Sequence, residues 1–260
     1  MSPILLERDG PVAQIRLHRP EAGNAINLAL AEALAEAAVE VAADATIRCV
    51  VLTGTGRIFC AGGDVAAMAT AGAEAPRLLR GLIDPLNRAI LTLMTMPKPL
   101  LGVVNGAAAG AGLSLALIGD VVIAAHSAHF TAAYTGVGLT PDGGMSWFLP
   151  RLIGLRRAQA MILTNQRLDA EAAERSGLVT ATVDDAALAE EAAACVARLV
   201  AAPAGALGAA RGLLLDGGAA LLRDHLESEA ATIERSGAQA EAQEGFAAFA
   251  ARRKPNFQGV

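Results

Sequence analysis

Apolar residues along the chain recur in two periods, and the points where one gives way to the other mark its elements. Ile4 to Glu7 and Val12 to Leu17 are apolar-rich runs separated by Asp9-Gly10, a pair suited to positive φ, so the chain is expected to open with a hairpin. Leu28 to Ala43 is alanine-rich with Glu32, Glu36 and Glu40 at four-residue spacing, which predicts a helix carrying its charges on one face. The run Cys49-Val-Val-Leu-Thr53 reads as a buried strand. Between Arg77 and Met96, Leu79, Ile83, Leu86, Ile90 and Leu93 fall three or four residues apart until Pro97 ends the pattern, which predicts an amphipathic helix. Leu100 to Val104 predicts a strand, Ala111 to Leu117 a short helix, and Asp120 to Ala125 a further strand.

Alternation of strand and helix argues for an α/β core, and the short β-β-α units suit a spiral of stacked turns better than a doubly wound sheet. After Val183 the pattern is helical almost to Arg253, with breaks near Pro203 and Gly217-Gly218. Helices without strands of their own pack on the core or on a partner subunit. The chain is thus read as a core over residues 1-195 and a helical region over residues 196-260. Trp147 and Phe148 are expected in the core, on a helix beginning near Met145.

At 260 residues the chain can bury one substantial core without disulfide or metal staples. Hydrophobic residues reach 53%, but much of this is alanine interleaved with charge, and no uncharged apolar run approaches the roughly 20 residues that span a bilayer. The N-terminus, MSPILLERDG, sets Glu7, Arg8 and Asp9 straight after a very short apolar stretch, unlike a secretory signal, so a cytoplasmic protein with no membrane partner is expected. Cys49, Cys60 and Cys195 are odd in number and lack zinc-like or CxxC spacing, which fits reduced thiols and gives no support for a metal. A net charge of -5 and 3% aromatic residues offer nucleic acid neither general attraction nor stacking platforms.

Three segments place small residues at strand ends, where α/β folds open their clefts and backbone amides can face a ligand. In Gly56-Arg-Ile-Phe-Cys-Ala-Gly-Gly-Asp-Val-Ala-Ala-Met68, the small residues from Ala61 to Gly63 let N–H groups approach a ligand, and Asp64 stands where an N-cap starts a helix. A plain capped turn fits the same residues. In Val103-Val-Asn-Gly-Ala-Ala-Ala-Gly-Ala-Gly-Leu-Ser-Leu-Ala116, seven small residues from Gly106 to Gly112 leave the helix start open. No P-loop ending and no Rossmann glycine spacing supports a nucleotide there, while close helix-to-strand packing also needs small residues. In Gly136-Val-Gly-Leu-Thr-Pro-Asp-Gly-Gly-Met-Ser-Trp-Phe-Leu-Pro150, Asp142 follows a proline and precedes two glycines, either as an N-cap or as an exposed general base.

Together the three segments resemble the enoyl-CoA hydratase/isomerase, or crotonase, superfamily over essentially the whole chain. The resemblance begins with His18-Arg-Pro-Glu-Ala-Gly-Asn-Ala25 and ends with Glu244-Gly-Phe-Ala-Ala-Phe-Ala-Ala-Arg-Arg-Lys-Pro-Asn-Phe257, which is similar to the family's closing helix. It implies an α/β fold, a crotonase-like spiral of repeated ββα units with a C-terminal helical trimerisation region, assembled as a homotrimer or dimer of trimers. It further implies an acyl-CoA substrate and no separate cofactor, coenzyme A being part of the substrate. By the same resemblance Gly63 and Ala111 supply the two N–H groups of an oxyanion hole for a thioester enolate. Gly23, Ala25, Ala61, Asp64, Val65, Ala109 and Tyr134 join them around the substrate and its CoA arm.

Hydratases of the family activate water with two glutamates, and the matching positions here are Ser114 and Tyr134. Neither is a carboxylate, which puts ordinary hydration in doubt. Asp142 resembles the acid/base of double-bond and ring isomerases, closest to the phenylacetate-pathway type, and one carboxylate can both remove and return a proton. Hydration, nucleophilic attack by Asp142, and a degenerate acyl-CoA-binding paralogue are the alternatives. Ser114 lacks a recognisable His/Asp partner for a serine triad. Asp84 reads as a solvated charge, Asp120, His126 and His129 as structural, and Cys60 as a small buried hydrophobe.

Overall fold

Gly10, at φ +52, turns β1 (Ile4–Asp9) back onto β2 (Val12–Leu17) as an antiparallel hairpin. The computed structural model describes residues 2–218 and 222–258. The first helix, α1 (Leu28–Ala43), is started by Asn27, whose side chain accepts from the Leu30 amide at 2.9 Å. It buries Leu30, Leu34, Ala38 and Val41 and leaves the three glutamates exposed, as the four-residue spacing predicts.

From there the chain repeats one unit: a strand in a first sheet, a short strand in a second, then helix. β3 (Cys49–Gly54) and β4 (Ile58–Cys60) precede α2 (Val65–Ala71) and α3 (Ala75–Thr95). β5 (Leu100–Val104) and β6 (Ala107–Ala109) precede α4 (Ala111–Leu117). β7 (Val121–Ala125) and β8 (His129–Thr131) precede α5 (Met145–Ile153) and α6 (Leu155–Thr164). β9 (Leu168–Asp169), α7 (Ala170–Ser176) and β10 (Ala181–Val183) complete the two sheets. The six-stranded sheet runs β1-β2-β3-β5-β7-β10 and is parallel from β2 onward, and the four-stranded sheet runs β4-β6-β8-β9. This is the ββα spiral that the alternation argued for.

The pleat of the large sheet divides the core. Val50, Leu52, Leu100, Val104 and Val122 face the main cluster with α1, α3 and α4, whereas Val51, Leu101, Val103 and Ile123 meet Leu188 and Cys195. The latter two belong to α8 (Leu188–Ala201), so Cys195, where the core was expected to end, lies inside a helix packed on the sheet. After α8 come α9 (Ala204–Gly217), α10 (Leu222–Gly237) and α11 (Ala240–Ala250), broken at Pro203 and after Gly217 as expected. Glu241 of α11 docks on the start of α9 and accepts from the amides of Ala204 at 2.8 Å and Gly205 at 2.9 Å. Among the described residues no single helix is long and apolar enough to cross a membrane.

One core assignment is corrected. Trp147 is 37% exposed, with the Arg151 guanidinium 3.9 Å over its ring and the Phe148 ring edge-on at 4.8 Å. Met145, Leu149 and Ile153, spaced four apart, take the buried stripe of α5, and Trp147 stands two residues off it. Phe148 is partly buried and packs against the core.

Candidate functional site

The site grows from the ends of the short strands. Asn24, fully buried at φ +56, pins the first strand-end motif: its side-chain amide donates to the carbonyls of Thr55 at 2.9 Å and Ile58 at 2.7 Å, and its oxygen accepts from the Arg19 amide. Backbone bonds then hold the next loop, with Ala61 N–H to Gly23 O at 2.9 Å and Ile26 N–H to Gly62 O at 2.7 Å. Gly62 sits at φ +100, and a Cβ there would lie 2.8 Å from the Ala109 carbonyl, so only glycine lets the two loops approach. The result is that Gly63 and Ala111 line one cavity, and neither amide has a hydrogen-bond acceptor among the described residues.

Asp64 is the N-cap of α2, accepting from the Ala67 amide at 3.1 Å, and it also pairs with Arg19 at 3.2 Å. Its charge therefore serves the loop. The cavity measures about 280 Å³ and takes most of its wall from apolar side chains, among them Val65, Met68, Leu79, Leu82 and Ile83.

Asp142 lines the same cavity. It is not a cap: Gly144 starts α5, and the Asp142 carbonyl accepts from the Met145 amide at 3.1 Å. Its carboxylate Oδ1 instead accepts from the Tyr134 phenol at 2.6 Å. The Ser114 hydroxyl donates to the Asp142 carbonyl at 2.9 Å and lies 3.3 Å from the Tyr134 hydroxyl. Burial raises the Asp142 pKa above the ordinary carboxylate value, and the Tyr134 hydrogen bond opposes the rise. Burial first, and then the Asp142 charge, raise the Tyr134 phenol, which stays protonated and can only donate to an ionised Asp142.

Of the residues expected at the site, Ala61, Gly63, Val65, Ala111, Tyr134 and Asp142 line this cavity. Gly23, Ala25, Asp64 and Ala109 do not; Gly23, Asp64 and Ala109 set the loops behind it through the contacts just described, and the Ala25 carbonyl accepts from the Arg19 guanidinium at 2.5 Å. Sequence reasoning missed the wall that α3 supplies, although its apolar period was legible, because Leu79 and Ile83 were taken as ordinary core. It also missed the bond between Tyr134 and Asp142. Asp84 pairs with Arg80 on the exposed side of α3, and Asp120 is bound by Arg211, both outside the cavity. His126 meets Asp184 at 3.1 Å near the surface, and His129 Nδ1 is buried without a hydrogen-bond partner among the described residues. The Cys60 thiol is buried, which pushes its pKa up to about 12, and contacts the Asn24 carbonyl.

Known proteins share this arrangement of chain. The chain is 41% identical over 248 residues, 95% of each chain, to the "Probable enoyl-CoA hydratase" of Rhodobacter capsulatus. It is 38% identical over 257 residues, 98% of each chain, to the 1,2-epoxyphenylacetyl-CoA isomerase of Escherichia coli K12. The crystal structure of an enoyl-CoA hydratase from Polaromonas sp. JS666 superposes with a TM-score of 0.93 at 34% identity, covering 97% of this chain and 98% of that one. The enoyl-CoA hydratase/isomerase family model matches residues 7–260, and the chain belongs to that family.

Proposed function

We propose that the protein isomerises the double bond or ring of an unsaturated acyl-CoA, with Asp142 as its single acid/base and the amides of Gly63 and Ala111 as its oxyanion hole. The observation that carries this reading is Asp142, the one carboxylate among the described residues lining the cavity, in the same space as the two unpaired amides. Asp142 takes a proton from the α-carbon, and the C–H electron pair moves into an enolate whose oxygen accepts from both amides, each worth about 3 kcal/mol. The same carboxylic acid returns its proton to the γ-carbon as the double bond moves between the α- and β-carbons. Positions 114 and 134 offer hydroxyls where the resemblance places hydratase glutamates, so no second carboxylate stands ready to activate water.

Ring isomerisation is favoured as the specialised form because of the Escherichia coli relative, whose sequence aligns with nearly the whole chain. Ala61 and Val65 border the acyl cavity and guide the CoA arm, while Gly23, Ala25, Asp64 and Ala109 shape the loops that carry it. No cofactor beyond the substrate's own coenzyme A is required. The protein works in the cytoplasm as a homotrimer or dimer of trimers, and a monomer in light scattering at micromolar concentration would contradict the assembly.

The test is a panel of 2-enoyl-, 3-enoyl- and phenylacetyl-derived CoA esters, run in deuterated water. Double-bond movement in the 3-enoyl ester with most of the migrating hydrogen retained, lost in Asp142→Asn with affinity nearly intact, is the expected result. Full activity of Asp142→Asn, or hydration of the 2-enoyl ester as the sole reaction, overturns it. A covalent aspartyl adduct would make Asp142 a nucleophile instead, and binding without double-bond movement would make the chain a non-catalytic acyl-CoA carrier.

A further inference from the structure

We infer that Tyr134 is a positioning residue for Asp142: its phenol fixes Oδ1, leaving Oδ2 as the one oxygen that takes and returns the substrate proton. The assignment rests on the isomerase reading above. Proton bookkeeping supports it. A phenol has one hydrogen, and at 2.6 Å Tyr134 gives it to Asp142 Oδ1. Ser114 gives its own to the Asp142 carbonyl at 2.9 Å, so neither hydroxyl retains a hydrogen for the 3.3 Å contact between them, or for substrate. Oδ2 has no hydrogen-bond partner among the described residues, and Asp142 lines the cavity. The carboxylate is thus held at one oxygen and by its own backbone, and without a hydrogen bond at the other among the described residues.

The backbone aims the phenol. Ala133, immediately before it, holds φ +64, a conformation alanine rarely adopts, and the Tyr134 amide turns back to the Ala132 carbonyl at 2.9 Å. No other charge competes for Asp142. Among the described residues lining the cavity only Tyr134 and Asp142 titrate; α2 presents Val65 and Met68 and α3 presents Leu79, Leu82 and Ile83. The nearby charged pair of α3, Arg80 and Asp84, lies on its exposed side, and α4 brings only Ser114. With burial favouring the neutral acid, Tyr134 is the one side-chain donor that favours the ionised base needed for the first step. Fixing Oδ1 also prevents the carboxyl from exchanging its oxygens, so a proton removed from the α-carbon stays on the face from which it returns to the γ-carbon.

Tyr134 is the chain's sole tyrosine, so uniform 3-fluorotyrosine labelling yields one fluorine resonance at this site. That resonance is expected to titrate with Asp142, and the titration to vanish in Asp142→Asn. In Tyr134→Phe the acid limb of kcat moves to higher pH, and kcat at pH 7 falls roughly tenfold with KM changed less than about twofold. A wild-type pH profile in Tyr134→Phe beside an inactive Asp142→Asn would overturn the role of Tyr134 and leave the isomerase reading standing. If the wild type isomerises nothing, the isomerase reading fails, while the fluorine titration still decides the pairing. If Tyr134→Phe does not fold, a fluorine signal that is flat with pH in the wild type is enough to reject the inference.

Discussion

Arg211 Nε lies 2.6 Å from Asp120 Oδ2 and 2.8 Å from Oδ1, tying α9 to the start of β7. The remaining donors of the same guanidinium reach the carbonyls of Leu93 at 2.7 Å, Met94 at 2.6 Å and Met96 at 2.7 Å, where α3 ends. Asp120 Oδ2 also accepts from the Leu100 amide at 2.7 Å, so one ion pair, its guanidinium buried and its carboxylate open to solvent, satisfies the end of α3 and the start of β5. Arg211→Ala leaves these carbonyls without their donor, while Asp120 keeps its contact with solvent, and is expected to cost about 2–3 kcal/mol in urea denaturation. Arg211→Lys keeps the charge but loses the planar fork, and should fall between the two. A loss below about 1 kcal/mol for the alanine variant would mean that water replaces the guanidinium.

That relationship shows why part of the molecule was legible in sequence and part was not. The hairpin at Asp9-Gly10, α1 with its glutamates and α3 ending before Pro97 are encoded locally, in turn chemistry and helical period. The second sheet is not. Ile58–Cys60 and Ala107–Ala109 are three-residue strands, the latter all alanine, too short to show a period of two. Asp142 could be singled out between Pro141 and two glycines, but its choice between cap and base depended on Tyr134 lying across a turn. Nothing in sequence links Arg211 to Asp120, because the pairing follows from how α9 folds back on the sheet. Trp147 was misplaced because bulk and apolarity were weighed ahead of the Met145, Leu149, Ile153 stripe.

Asp142 carries its charge against burial, and this has a stability consequence with a definite sign. A carboxyl whose folded pKa is raised contributes most below its unfolded value, near 3.8, and that contribution is lost as pH rises through the folded value. Asp142→Asn removes the charge and leaves an amide oxygen to accept from Tyr134. The variant should therefore melt above the wild type at pH 7, and the gap should narrow as pH falls toward 4. A gap that widens on acidification would show that the ionised carboxylate stabilises the fold.

The cysteines should be unreactive in the native protein. Cys49, Cys60 and Cys195 are all buried, and burial pushes the thiols of Cys49 and Cys60 up to about 12. A disulfide reagent at pH 8 should find no fast thiol in the folded chain and all three after unfolding in guanidinium. Rapid modification of one thiol under native conditions would locate a segment that opens without global unfolding.

Gly143 supports Asp142 from behind, and replacing it separates strain from displacement. It holds φ +57, and a Cβ there would stand 2.9 Å from Ser114 Cβ and 3.2 Å from both Ser114 Oγ and Ile90 Cδ1. Gly10 holds φ +52 with nothing within 4 Å, so Gly10→Ala carries the backbone cost alone, about 1–2 kcal/mol. Gly143→Ala adds the push on Ser114, whose hydroxyl fixes the Asp142 carbonyl at 2.9 Å. A shift of the carboxylate by a fraction of an ångström is enough to misplace a proton transfer, so Gly143→Ala should lower the kcat of the proposed isomerisation by roughly ten- to a hundredfold. Its KM should stay close to that of the wild type, because the loops bearing Gly63 and Ala111 are held by Asn24 and Gly62 rather than by Gly143. Equal kcat in the two alanine variants, at equal loss of stability, would show that the Asp142 loop tolerates the displacement.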